Sequence, residues 1–130
     1  MKPLNRIEAT TILIRALGLE DVLVSESSEF TDISDDYWGK KYANIAKERG
    51  ISYGVGDDRF APEERMNAVQ FGALLLRSAQ GDTFDWEQSV ALLIEKGIIT
   101  QEQSENMDLF TRGDVFKIIY EAREQGLLAK

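Results

Sequence analysis

Cysteine and histidine are both absent from the 130 residues. The first absence excludes disulfides, thiolate zinc centres and cysteine nucleophiles. The second removes the commonest general base and metal ligand. Basic residues are outnumbered, 15 against 23 acids, for a formal net charge of -8. That balance argues against binding a nucleic-acid backbone or an anionic membrane surface. No apolar run approaches the roughly 20 residues of a membrane span, so membrane insertion is not expected. Near the N-terminus the apolar residues are interleaved with Arg6, Glu8 and Arg15, which is not a signal-peptide pattern. A chain without disulfides is not thereby cytosolic, and compartment stays open at this level.

What the chain does contain is one helix start written three times. Asn5-Arg6-Ile7-Glu8 leads into Ile12, Leu13, Ala16 and Leu17. Asn67-Ala68-Val69-Gln70 leads into Phe71, Leu74, Leu75 and Ser78. Thr111-Arg112-Gly113-Asp114 leads into Val115, Ile118, Ile119 and Ala122. Asn or Thr accepts a bond from a free first-turn N–H, and an acid or amide three residues on reaches back to the cap's own N–H. The apolar spacing behind each cap is that of a helix with one buried face. A cation in the first turn opposes the helix dipole. Arg6 and Arg112 stand there nonetheless, which hints at another job.

A second element also recurs. In "YWGKKYANIAKERGISYG" the spacing predicts a short helix opened by Trp38, with Trp38, Tyr42, Ile45 and Ala46 inside and Gly50 as its stop. In "FDWEQSVALLIEKGIIT" it predicts another, opened by Trp86 and stopped by Gly97. Glycine past the last turn suits a left-handed cap, and the isoleucine after it suits an apolar anchor. Asp36 is placed to cap the Trp38 helix. The connections Ser25–Tyr37, Gly54–Met66 and Thr100–Asp108 read as irregular polar loops. Phe60 is expected to plug the core, and short β pairing is expected near Gly54–Phe60. A hydrophobic content of 43 % supports one compact domain. The chain opens almost directly on a helix start, so it is expected to be a piece of a longer protein.

From Phe30 to Ser78 the chain resembles one complete S-layer homology repeat. Phe30, Asp32, Ile33, Trp38, Ala43, Gly50, Ile51, Gly54, Phe60 and Pro62 follow the family pattern in order. "NRIE" and "TRGD" sit where the family carries Thr-Arg-Ala-Glu. The resemblance implies a single domain over residues 1–130. Residues 1–19 would be the second half of repeat one, 25–81 repeat two and 82–130 a shortened repeat three. The fold class it implies is all-α: a pseudo-threefold repeat, with three long helices as a core bundle, shorter helices at the periphery and irregular loops.

By the same resemblance, the expected function is non-covalent anchoring at the cell surface, through a pyruvylated secondary cell-wall polysaccharide held in grooves between repeats. The expected location is extracellular, at the cell wall. The motif arginine pairs with the ligand carboxylate, a match suited to bidentate guanidinium geometry. Carried onto this chain, the ligand-binding candidates are Arg6, Asp32, Trp38, Gly54 and Arg112. No catalytic residue, metal or cofactor is expected, and the chain is not expected to be an enzyme.

The departures define an alternative. Ala68 stands where the motif has arginine, Gly113 where it has alanine, and the third repeat lacks Phe-x-Pro. A groove at Arg112 would need the front half of repeat one, which a second copy could supply in a domain-exchanged homodimer. The alternative is a degenerate module of the same fold, self-associating or protein-binding, without glycan binding. Calcium at "SDDYW" or "GDDRF" is disfavoured, because neither has the full loop pattern. A carboxylate hydrolase is disfavoured too, because nothing marks a facing acid pair.

Overall fold

Reciprocal capping organises the computed structural model, which describes residues 4–52, 54–80, 86–105 and 110–126. The side chains of 80, 86–90 and 104 also lie outside the described set. The chain is all-α. Its helices are α1 (Arg6–Ala16), α2 (Lys40–Glu48), α3 (Ala68–Gln80), α4 (Trp86–Glu95), α5 (Gln101–Glu105) and α6 (Arg112–Glu124). Among the described residues no helix is long and apolar enough to cross a membrane.

The three repeated starts form as expected. Asn5 and Glu8 exchange bonds of 3.1 and 2.9 Å, Asn67 and Gln70 bonds of 3.1 and 2.8 Å. Thr111 and Asp114 do the same at 2.9 and 3.4 Å. The apolar residue before each cap, Leu4, Met66 or Phe110, is at most 2 % exposed. These three meet: Leu4 N–H donates to the Phe110 carbonyl, and Met66 N–H to the Leu4 carbonyl. The three starts are thus gathered at one end of the bundle, and α1, α3 and α6 pack pairwise below them.

Helix α1 departs from the one-sided pattern. Ile7, Ala9, Thr10, Thr11, Ile12, Leu13 and Ile14 are all buried. The cause is position: α2, α3 and α6 all touch it. Each fully buried leucine or isoleucine there contributes about 1.5–3 kcal/mol.

The short helices lie outside, α2 on α1 and α4 on α3. Gly50 and Gly97 take left-handed φ of 71° and 72° as their stops. The isoleucines after them donate back to Ala46 and Leu93, and are 1 and 2 % exposed. Two expectations need correction. Helix α2 starts at Lys40 after a Gly39 cap with no side-chain bond, and Asp36 instead accepts from the Ser34 hydroxyl at 2.7 Å. The Thr100–Asp108 segment also contains α5, capped by reciprocal Thr100–Gln103 bonds of 2.9 and 3.0 Å. Phe60 is fully buried, edge-on to Phe30 at 5.1 Å, and Gly56 and Arg59 form the expected short β pairing. The expected inward packing of Trp86 falls on a side chain outside the described set.

Candidate functional site

The start of α1 is crossed by a loop. Arg6 N–H donates to the Glu64 carbonyl at 2.8 Å and Ile7 N–H to the Pro62 carbonyl at 3.0 Å. Asn5 pairs with Arg65 as an isolated antiparallel bridge. First-turn N–H groups have no partner within their own helix, and here the loop supplies two of them with acceptors. Arg6 is half-buried as a result. Its Nε is closed off from solvent and has no hydrogen-bond partner. Burial lowers its pKa from the usual value, and the nearby Glu64 charge opposes that shift. An unpaired buried donor costs about 1–3 kcal/mol, and more when it is charged. Such a cost in a folded protein calls for an explanation.

Trp38 lies in a turn that packs on the start of α1. Its neighbour Gly39 presses on Ile7, the residue after Arg6, so closely that a Cβ on Gly39 would lie 2.5 Å from Ile7 Cγ1. The Tyr37 hydroxyl donates to Glu63 at 2.8 Å, and Asn5 Nδ2 donates to the same oxygen at 3.4 Å. Burial first, and then the Glu63 contact and charge, push the Tyr37 phenol up to about 12. The Trp38 ring lies 5.7 Å from Tyr37 and 6.4 Å from Tyr42, and is 57 % exposed. This corrects the expectation that it packs inside. Trp38 lies in the turn ahead of α2 and so falls outside that helix's apolar stripe.

Asp32 and Gly54 act on the loop rather than facing the arginine. The Asp32 carboxylate accepts from Phe60 N–H and Ala61 N–H, each at 2.8 Å. That pair holds Ala61 at a left-handed φ of 57° just ahead of Pro62, which bonds α1. Gly54 has φ 86°, and a Cβ there would lie 2.2 Å from the Arg59 carbonyl oxygen. That carbonyl accepts from Val55 N–H at 2.8 Å and closes the loop. The acids weighed for calcium serve turns: Asp35 accepts from Ser28 N–H at 2.7 Å, and Asp57 and Asp58 take left-handed φ. Among the described residues no group of three or more acids is arranged to hold a metal ion.

Arg112 is placed elsewhere. It starts α6, is exposed, and its Nη2 lies 3.6 Å from Glu8 on α1. It lines a groove of about 460 Å³ between α1 and α6, with Arg15, Arg123, Phe116 and Tyr120. Arg15 is also tied to Glu20 at 2.6 Å and to the Tyr42 hydroxyl at 3.0 Å. The candidates therefore separate. Arg6 and the turn of Trp38 meet at the α1 start, Asp32 and Gly54 shape the loop that crosses it, and Arg112 belongs to a different groove. Sequence reasoning missed Tyr37, Glu63 and Glu64. No local pattern marks them, because their role depends on a loop meeting a distant helix, as Glu63 meets Asn5, 58 residues away along the chain.

The S-layer homology domain profile matches residues 29–67, the stretch that carries Trp38, Asp32 and the loop. A cell surface protein of Thermoanaerobacter kivui is 28 % identical over 127 residues, covering 95 % of this chain and 17 % of that protein. A middle cell wall protein of Brevibacillus brevis is 26 % identical over 137 residues, 98 % of this chain and 12 % of that protein. An S-layer protein of Bacillus anthracis is 27 % identical over 131 residues, 98 % of this chain and 16 % of that protein. The chain thus spans less than a fifth of the length of these relatives. Residues 29–67 thus match the S-layer homology domain, and the relatives that align over nearly the whole chain are cell-surface, cell-wall and S-layer proteins.

Proposed function

We propose that this module binds a pyruvylated secondary cell-wall polysaccharide non-covalently, at the junction of the α1 start, the Pro62–Glu64 loop and Trp38. The observation that carries the reading is the half-buried Arg6, its Nε unpartnered, at a helix start on which the turn of the exposed Trp38 packs. A ligand carboxylate pairs with the guanidinium, whose planar donors suit bidentate binding. The exposed Trp38 face offers a rigid apolar surface to a sugar ring. Glu63 is held by Tyr37 and Asn5, and Glu64 favours the charged form of Arg6. No step requires a base, a nucleophile or a metal, so the role is non-catalytic. Asp32 and Gly54 contribute by holding the loop. Arg112 is the weaker candidate, since Glu8 already faces it.

The division into repeats at 1–19, 25–81 and 82–130 belongs to the same proposal. It is supported by the three caps and the paired α2 and α4 stops. A second reading, a module of this fold without glycan binding, is favoured by one observation. Ala68, at the motif's arginine position, is fully buried and offers a ligand nothing. The test is co-sedimentation with purified sacculi, with and without their secondary polysaccharide. Pelleting that needs the polymer, weakens with salt and is lost in Arg6→Ala supports the proposal. Pelleting of neither protein supports the second reading.

A further inference from the structure

Asn5 uses both ends of its side-chain amide. Its Oδ1 accepts from Glu8 N–H at 2.9 Å to cap α1, which leaves Nδ2 as a donor. That nitrogen donates to Glu63 Oε2 at 3.4 Å, and the Tyr37 hydroxyl donates to the same oxygen at 2.8 Å. One carboxylate therefore bridges the cap of α1 and the turn ahead of α2, 58 and 26 residues away along the chain. The Tyr37 ring is also seated on that turn. A Cβ on Gly39 would lie 3.0 Å from Tyr37 Cε2.

The bridge continues to Trp38. The ring centroids of Tyr37 and Trp38 lie 5.7 Å apart, with the planes tilted by 38°. Burial and then Glu63 raise the Tyr37 phenol, while the Trp38 side chain alone acts the other way, through a hydrogen bond. The sole donor of a tryptophan side chain is its indole N–H. A phenol both accepts and donates, so the Tyr37 oxygen takes the indole bond and passes its own proton's bond to Glu63. The chain of contacts runs from Trp38 through Tyr37 and Glu63 to Asn5, and Arg6 is the next residue. Trp38 needs such a hold. Its ring is 57 % exposed, so packing restrains only part of it. A side chain that is free before binding and ordered after it costs affinity.

We propose that Tyr37 is a positioning residue for the glycan binding inferred above, a role that rests on that reading. Its hydroxyl, anchored by Glu63, holds the Trp38 indole in one orientation relative to the α1 start that carries Arg6. The ring then meets a sugar already ordered.

Titration calorimetry with purified, pyruvylated wall polysaccharide tests it, on wild type, Arg6→Ala, Tyr37→Phe, Trp38→Phe and the double variant Tyr37→Phe/Trp38→Phe. Phenylalanine at 37 keeps the ring and removes only the hydroxyl. Tyr37→Phe should weaken binding about two- to tenfold, the scale of ordering one side chain. Phenylalanine at 38 has no donor, so Tyr37→Phe should add nothing in that background. In the ligand-free protein, the heteronuclear NOE of the Trp38 indole N–H should fall in Tyr37→Phe, which a general packing role for Tyr37 would not produce. Wild-type affinity in Tyr37→Phe, an equal loss in both backgrounds or an unchanged NOE would overturn the positioning role alone, provided that Arg6→Ala still loses binding. No polysaccharide binding by wild type would overturn the glycan reading, and the positioning role with it.

Discussion

Arg6 and Arg112 occupy the same position, the first residue after the cap in two helices of the same design. Their surroundings differ. Arg6 lies under the Pro62–Glu64 loop, half-buried, with its Nε unpartnered. Arg112 is exposed and faces Glu8 at 3.6 Å. An exposed pair of that kind is worth about 0–1 kcal/mol. A motif residue is therefore not a site by itself. The loop that crosses Arg6 sets it apart from Arg112, and that loop stands on Phe60, Asp32 and Gly54.

The comparison breaks most completely if the loop loses its plug. Phe60 is fully buried against Phe30, and Phe60→Ala should cost about 3–5 kcal/mol in denaturant unfolding. It should also expose Arg6 and erase its difference from Arg112. Gly54→Ala meets both a left-handed φ and the Arg59 carbonyl. The expected loss is about 1–3 kcal/mol, read by the same measurement. Asn5→Ala and Thr111→Ala remove equivalent caps. Each should cost about 1 kcal/mol, but only the first should also weaken glycan binding, because Asn5 sits in the loop junction.

Smaller effects sharpen the contrast. Arg6→Met removes a buried unpaired donor and keeps the side chain's bulk. The ligand-free protein should gain stability, by up to about 1 kcal/mol, while binding falls; Arg112→Met should leave both nearly unchanged. The smallest effect is alkaline. The Tyr37 phenol is raised to about 12 from an ordinary 10.0, so the folded chain holds a proton that the unfolded chain releases first. The stability this contributes is full below pH 10 and is lost as pH rises through about 12. A phenolate absorbance titration of wild type beside Tyr37→Phe, which should lack the latest step, checks it.

Much of this fold is legible in the chain itself. The caps at Asn5, Asn67 and Thr111, the stops at Gly50 and Gly97, and the buried Phe60 all follow from local rules, because their partners lie within a few residues or in the apolar core. The cap at Thr100 obeys the same rule through its T-x-x-Q spacing, yet the segment's polarity favoured a loop reading, and the five-residue α5 was missed. The site was less legible. Trp38 has the spacing of a core residue, and only the late start of α2 turns it outward. Arg6 is set apart from Arg112 by carbonyls of Pro62 and Glu64, a long-range pairing without a local signature. Asp32 fits the motif, but its bonds to Phe60 and Ala61 show a hold on the backbone rather than a face toward ligand.

The most direct test of the central claim is the affinity of purified, pyruvylated wall polysaccharide for Arg6→Ala and Arg112→Ala side by side, by titration calorimetry. The account predicts a loss for Arg6→Ala of about ten- to a hundred-fold, the scale of one charge-assisted contact, and little change for Arg112→Ala. Equal losses in the two variants, or a loss confined to Arg112→Ala, would contradict it.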